Sequence, residues 1–449
     1  MLGWRILPEG EYKIEMPQLS EDEERMVEVV EERFKEVARL REMSNKEEIL
    51  EAIKETLQNT AGEEGIYLDS DQEEYLSKVA YHHIYGFAFI DELLKDGNIE
   101  EISIVGLGKP AYVYIRKQGW KKVNAAFTDE KTLMDVINKM AKTLGRRITL
   151  QNPRLDTMLP DGSRLHASLP PISDGEITIR RFRDRPFSPK EIVELKTASV
   201  ETMALLSLLM QSDSSILIAG NTASGKTTTM NAIFSFVPLN ERILITEETP
   251  EINIPHAHKV RMVANKEMGV SLMDLVYDSL RMRPDRIVVG EVRNKEEARA
   301  LVDVLLGGQA RGAYATFHAQ SAQEALLRLE SFGISEMDLN SIDAILVQRR
   351  MLIYDLKQRK NVEVRRVVEL SMVENAKAVP VIKYNAAKDA WEEKGIERIF
   401  PMLSEKLGIE EKEVEKEYVK RKKEIEKAPI EFNEFFASVQ KGFYGLEKF

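Results

Sequence analysis

Residues Ser215-Ile216-Leu217-Ile218-Ala219-Gly220-Asn221-Thr222-Ala223-Ser224-Gly225-Lys226-Thr227-Thr228 decide how the chain is read. The segment Gly220 to Thr227 matches G-x-x-x-x-G-K-[ST], with an apolar strand at 215–219 before it and a helix at 227–236 after it. The glycines let the backbone curl so that successive N–H groups point inward at phosphate oxygens. The helix N-terminus adds its partial positive charge. Gly220, Asn221, Thr222, Ala223, Ser224, Gly225, Lys226, Thr227 and Thr228 therefore form the expected phosphate-binding segment. Lys226 is placed to reach the β- and γ-phosphates of a nucleotide, and the Thr227 hydroxyl to ligate Mg²⁺.

Moving outward, apolar runs at 216–219, 242–246, 286–290 and 313–316 alternate with helical stretches. That alternation predicts an α/β fold with a parallel central sheet covered on both faces. Strand ends of such a sheet carry its chemistry. The run 286–290 leads into Glu291, a candidate acid for the magnesium, or alternatively a cap for the next helix. The run 242–246 leads into Glu247-Glu248-Thr249-Pro250-Glu251, where Glu247 is a candidate base for the attacking water; a solvated acidic turn is the competing reading. The run 313–316 leads to Phe317-His318, and His318 is either a sensor of the γ-phosphate or the neighbouring subunit or a structural histidine. Arg180, Arg181, Arg281 and Arg283 are candidates for the cationic help that phosphoryl transfer needs, with ordinary surface pairing as the alternative for each.

Upstream, Ser20…Glu23 and Ser44…Glu47 read as capping boxes for two helices, the first carrying Met26, Val30, Phe34 and Val37, the second Leu50, Ile53 and Leu57. The stretch 65–182 mixes short strands with helical segments and turn signals such as Pro160-Asp161-Gly162-Ser163, which predicts a small α+β domain. Prolines and charges at 183–190 read as a linker. The expected organisation is a helical segment over 1–64, the small domain over 65–182, the linker, a nucleotide-binding domain over 191–375 and a charged helical extension over 376–449.

Composition narrows the function classes. The 449 residues are 43% hydrophobic and 31% charged, with a net charge of −11 that argues against nucleic acid as a partner of the whole chain. No cysteine is present, which excludes disulfides, thiolate zinc sites and a cysteine nucleophile. No signal-peptide core or membrane-spanning run stands out, so the expected location is cytoplasmic.

Taken in order, the four strand-end motifs resemble those of the type II/type IV secretion ATPase superfamily: 220–227 as Walker A, 246–251 as the Asp box, 286–293 as Walker B and 307–318 as the His box. Leu144-Gly145-Arg146-Arg147, Pro170-Pro171 and Ile177-Thr178-Ile179-Arg180-Arg181-Phe182 are similar to its archaeal secretion, pilus and archaellum branch. Missing cysteines, which rule out the zinc module of many bacterial members, point the same way. The resemblance implies a RecA-like ATPase domain behind a PAS-like small domain, and an ATP-hydrolysing, Mg²⁺-dependent homo-hexamer. It implies docking at the cytoplasmic face of the membrane on a polytopic inner-membrane platform protein, with direct contact to the membrane surface a further option. It assigns Glu247 as catalytic glutamate, Glu291 as Walker B acid, His318 as the His-box histidine, and Arg180 or Arg181 as the small domain's reach to the nucleotide. Glu248 departs from the usual Asp of the Asp box. A nucleic-acid translocase and a weakly hydrolysing nucleotide-sensing scaffold are the alternatives.

Overall fold

A computed structural model describes residues 4–15, 19–41, 43, 45–115, 118–142, 146–159, 161–181, 185–265, 268–308, 310–356 and 359–446. The chain divides into two compact units, Met1–Phe182 and Arg183–Phe449.

The first unit opens with a short strand, β1 (Trp4–Ile6), and three helices, α1 (Glu21–Leu40), α2 (Lys46–Glu64) and α3 (Ser70–Tyr85). Their shared core is Met26, Val27, Val30, Phe34, Ile53, Leu57 and Leu76. The Ser20 box forms as expected: Glu23 N–H donates to Ser20 Oγ at 3.3 Å and Ser20 N–H to Glu23 Oε2 at 2.7 Å. The second helix is instead capped by Asn45, whose Oδ1 accepts from Glu48 N–H at 2.8 Å. Ser44 lies outside the described residues, as do Leu144-Gly145, Pro160, Phe182 and Arg183-Asp184 of the expected motifs and linker. Helix α3, which the sequence reading did not single out, runs to Tyr85 and packs on α1 and α2. Only Leu76, Ser77 and Ala80 of this helix are buried, too thin a stripe to mark it in the sequence.

A six-stranded antiparallel sheet follows, in the order β4-β3-β2-β8-β7-β6, while β1 pairs with β5. Its elements are α4 (Ile90–Lys95), β2 (Ile99–Ile104), β3 (Tyr112–Ile115), β4 (Gly119–Lys122), β5 (Ala125–Phe127), α5 (Glu130–Ala141), β6 (Arg154–Met158), β7 (Arg164–Ser168) and β8 (Glu176–Arg180). One face buries Ile102, Val113, Leu165, Ile177 and Ile179 under Leu133 and Ile137 of α5.

The second unit is built on a nine-stranded sheet in the order β11-β10-β12-β13-β9-β14-β15-β16-β17. Six strands are parallel: β9 (Ile216–Gly220), β10 (Ile243–Glu247), β11 (Lys259–Val263), β12 (Arg286–Val292), β13 (Gly312–Phe317) and β14 (Ala344–Asp355). The remaining three, β15 (Lys360–Glu374), β16 (Lys377–Asn385) and β17 (Ala390–Glu393), extend it as an antiparallel meander. The expected parallel sheet is thus right from β11 to β14 and incomplete beyond β14. The meander alternates charged and apolar residues, because one face of an antiparallel edge can stay wet.

Successive strand residues face opposite ways, so two cores form. Ile216, Ile218, Ile243, Ile245 and Leu346 pack under α6 (Pro189–Glu194), α7 (Val200–Gln211), α8 (Lys226–Ile233) and the C-terminal helices. Leu217, Ala219, Ile287, Val289 and Val347 pack under α9 (Leu272–Ser279), α10 (Lys295–Gly307), α11 (Ala322–Ser331) and α12 (Glu336–Leu339).

The region read as a charged helical extension is part of the second unit's core. It contains β16 and β17 as well as α13 (Phe400–Leu407), α14 (Glu411–Lys427) and α15 (Phe432–Tyr444). Arg421, 2% exposed, donates to the Ser207 carbonyl at 3.1 Å and stacks 4.3 Å from the Phe443 ring. Gln440, fully buried, accepts from Leu239 N–H at 2.9 Å and donates to the Val237 carbonyl at 3.0 Å. Among the described residues, no helix is long and apolar enough to cross a membrane.

Candidate active site

The carboxyl ends of β9, β10, β12, β13 and β14 meet at one edge of the sheet, and the loop after β9 lies at its centre. Gly225 takes φ +95° and Ala223 φ +59°, so the loop turns through left-handed backbone before α8 begins. A Cβ on Gly220 would stand 2.0 Å from the Gln348 carbonyl oxygen, so only glycine fits there. Lys226 is 8% exposed and folds back into the loop, its Nζ donating to the carbonyls of Gly220 at 3.1 Å and Asn221 at 3.3 Å. Burial holds its ammonium below the ordinary lysine value, with Glu291 and Glu251 opposing that effect. The side chain therefore has no fixed anion partner and is free to exchange two carbonyls for a phosphate.

Glu247 ends β10 at 1% exposure. Its Oε1 accepts from the N–H groups of Glu251 and Ile252, each at 2.7 Å, which bends the following turn back toward α8. Its Oε2 has no hydrogen bond; Arg261 Nε lies 3.2 Å away without the alignment of one. Burial dominates and lifts the carboxyl to about 7, against the lowering pull of the two N–H groups and Arg261. The bend places Glu251 where Thr227 Oγ1 donates to its Oε2 at 3.1 Å. Glu251 stands in the quoted Asp-box segment but received no role from the sequence; its distance in space to Thr227 is set by the turn, not by spacing.

Glu291 sits where the β12–β13 register slips between Val289 and Val292. The irregularity re-aims its side chain along the sheet edge. His318 Nε2 is 2.6 Å from Oε1, and Arg293 Nε donates to Oε2 at 2.6 Å. Arg293 also pairs with Glu248, so the second carboxylate of the Asp box is tied to the Walker B arginine. Burial first, then the Lys226 charge, holds His318 below its ordinary value, with Glu291 opposing that effect.

Arg281 and Arg283 precede β12 and lie at the opposite edge of the sheet from the phosphate loop of their own chain. Arg180 ends β8 in the first unit, and Arg181 donates through Nη1 to the Asp96 carbonyl at 2.7 Å.

For magnesium, hard oxygen donors are required. Thr227 Oγ1 and Glu251 Oε2, already adjacent, fit that demand; both oxygens of Glu291 are engaged by His318 and Arg293. Among the described residues, no group of three or more His, Asp or Glu side chains is arranged to hold a metal alone. A cation here would complete its shell with phosphate and water.

The chain is 35% identical over 261 residues to an uncharacterized protein, MJ0781, of Methanocaldococcus jannaschii, covering 55% of this chain and 35% of that one. It is 28% identical over 315 residues to the type IV secretion system protein VirB11 of Bartonella quintana, covering 60% of this chain and 87% of VirB11. It spans only 35% and 56% of the length of two Methanocaldococcus relatives, MJ0781 and MJ0900. Among solved structures, the ATPase DotB of Legionella pneumophila aligns at 21% identity with a TM-score of 0.45, over 64% of this chain and 81% of DotB. A family model described as type II/IV secretion system protein matches residues 86–439, and the chain therefore belongs to the type II/IV secretion system protein family.

Proposed function

We propose that the chain is the ATP-hydrolysing subunit of a Mg²⁺-dependent homo-hexameric motor. It drives assembly of a type IV pilus-like, archaellum or type II secretion filament through a membrane platform protein, working from the cytoplasmic face of the membrane. The observation that supports this best is the convergence at one sheet edge of a buried lysine held only by loop carbonyls (Lys226), a hydroxyl–carboxylate pair (Thr227–Glu251) and a strand-end acid beside a histidine (Glu291–His318).

In this reading the loop N–H groups and Lys226 take the phosphates, and Thr227 with Glu251 would hold the metal, which would supply positive charge beside the phosphates. Glu247, anchored through one oxygen and with the other unbonded, accepts the proton of the attacking water. Glu291 orients His318 toward the γ-phosphate position. Arg180 or Arg181 supplies cationic help from the small domain, the neighbouring subunit's copy included.

The test is phosphate release by the full chain with Mg²⁺. Wild type should turn over, and Lys226→Ala should lose at least about a hundredfold, the scale of removing one transition-state donor. Adding single-stranded DNA or anionic vesicles separates the motor reading from nucleic-acid translocation: strong stimulation by DNA with none by vesicles sinks it.

A further inference from the structure

The phosphate loop is gripped from one side by a residue far along the chain. Gln348 lies on β14 in register with Gly220 of β9, and is 2% exposed. Its Nε2 donates to the Ser224 carbonyl at 2.7 Å, while its Oε1 accepts from the buried Thr229 hydroxyl at 2.5 Å. Those two bonds fix which end of the amide points where. A Cβ on Gly225 would stand 2.8 Å from the same Nε2, so the second loop glycine leaves room for this side chain. The β14–β15 pairing slips by one residue at Val347/Gln348, a local irregularity of the kind that re-aims a side chain beside a site.

A second contact repeats the pattern: Arg365 of β15 donates through Nε to the Ala223 carbonyl at 3.0 Å. Asn221 is held as well, its side chain bonding the Arg350 N–H at 2.9 Å and carbonyl at 3.1 Å. Four phosphate-loop or α8 residues are thus tied to one β-ribbon.

We propose that Gln348 is a positioning residue for nucleotide, acting through the peptide between Ser224 and Gly225. In a trans peptide the C=O and N–H point in opposite directions. Drawing the Ser224 carbonyl outward onto Gln348 therefore aims the Gly225 N–H at the concave side of the loop, where a phosphate oxygen would accept from it. Without the amide, that peptide unit is free to rotate, and the loop loses a preorganised donor before any phosphate arrives. The contribution is to binding rather than to the chemical step. This inference rests on the nucleotide-site reading above, but not on hydrolysis.

The experiment measures binding of a fluorescent ADP analogue with Mg²⁺ to the full chain, alongside the KM and kcat of phosphate release and the thermal midpoint without nucleotide. Gln348→Glu keeps the shape and the Thr229 acceptor but sets a carboxylate against the Ser224 carbonyl. Gln348→Met keeps the volume with neither bond. Each should weaken analogue binding and raise KM about tenfold, the scale of losing one buried hydrogen bond with its partner left unpaired, with kcat changed less than about threefold. Thr229→Val, which removes only the orienting hydroxyl, should shift binding in the same direction by less. If Gln348→Glu does not fold, Gln348→Met carries the test. Unchanged analogue affinity in a folded Gln348 variant, or loss confined to the thermal midpoint, overturns the proposal. A wild type that binds the analogue but releases no phosphate overturns the ATPase reading alone, and the binding arm still decides Gln348.

Discussion

Replacing Glu247 by glutamine should make the protein more stable and less active at once, and the amount can be worked out. The unfolded glutamate titrates at the usual 4.5, whereas in the native site burial lifts it to about 7. Between those values the native state holds a proton that the unfolded chain has released, so stability is fully present below the lower value and is lost as pH rises through the upper one. The difference corresponds to about 3 kcal/mol, and it already nets the two backbone N–H bonds and Arg261 against burial. Glutamine resembles the protonated form, so Glu247→Gln should exceed wild type by up to about 3 kcal/mol at pH 8.5 and match it below about pH 4. At roughly 3 °C per kcal/mol for a unit of this size, the gain is about 9 °C in thermal midpoint, read by parallel melting scans across pH. Phosphate release should move the other way: wild type loses rate below about pH 7 as Glu247 takes up its proton, and Glu247→Gln is slower by about 10²- to 10⁴-fold above that pH, the gap narrowing as the pH falls. Melting scans that run parallel for the two proteins would refute the buried-carboxylate argument. A variant that keeps the wild-type rate would refute the base assignment and pass it to Glu251, next to Thr227.

Three further outcomes follow from the geometry. Glu291→Gln leaves Arg293 with Glu248 as its remaining carboxylate and removes the charge that orients His318; phosphate release should fall about 10²-fold while analogue binding holds, and equal loss of both would mean the pair only supports the loop. Thr227→Val should weaken the Mg²⁺ dependence of nucleotide binding by about tenfold, measured by titrating the metal; an unchanged titration removes Thr227 from the cation's ligands. Arg421→Ala breaks the bonds to Ser207 and Gln211 and the stack on Phe443, so the second unit should lose about 3 kcal/mol and melt roughly 9 °C lower. A shift under about 2 °C would show that α14 is only loosely held.

The distribution of what could be read follows the range of the interactions. The phosphate loop, its flanking strand and helix, and the acids and histidine at 247, 291 and 318 were legible because each depends on consecutive residues. A loop that must curl needs glycines at fixed offsets, and a buried parallel strand needs a continuous apolar run. The three antiparallel strands past β14 and helix α3 were not legible, since partly wet elements carry a weak period. The same holds for the tail: Arg421 and Gln440 look like solvated residues until Ser207 and Val237 supply their partners.

By itself, then, the sequence determined that a glycine-rich loop sits on a parallel sheet, and which strand ends carry the acids and the histidine beside it. Tertiary structure decided who stands beside that loop. Glu251 reaches Thr227 because Glu247 bends the turn between them, and Gln348 reaches Ser224 because β14 lies next to β9. Those neighbours are separated by 24 and 124 residues in the chain, and no local pattern encodes a contact of that span. Strand order supplies it, through the burial of both sheet faces that fixes which strands become adjacent.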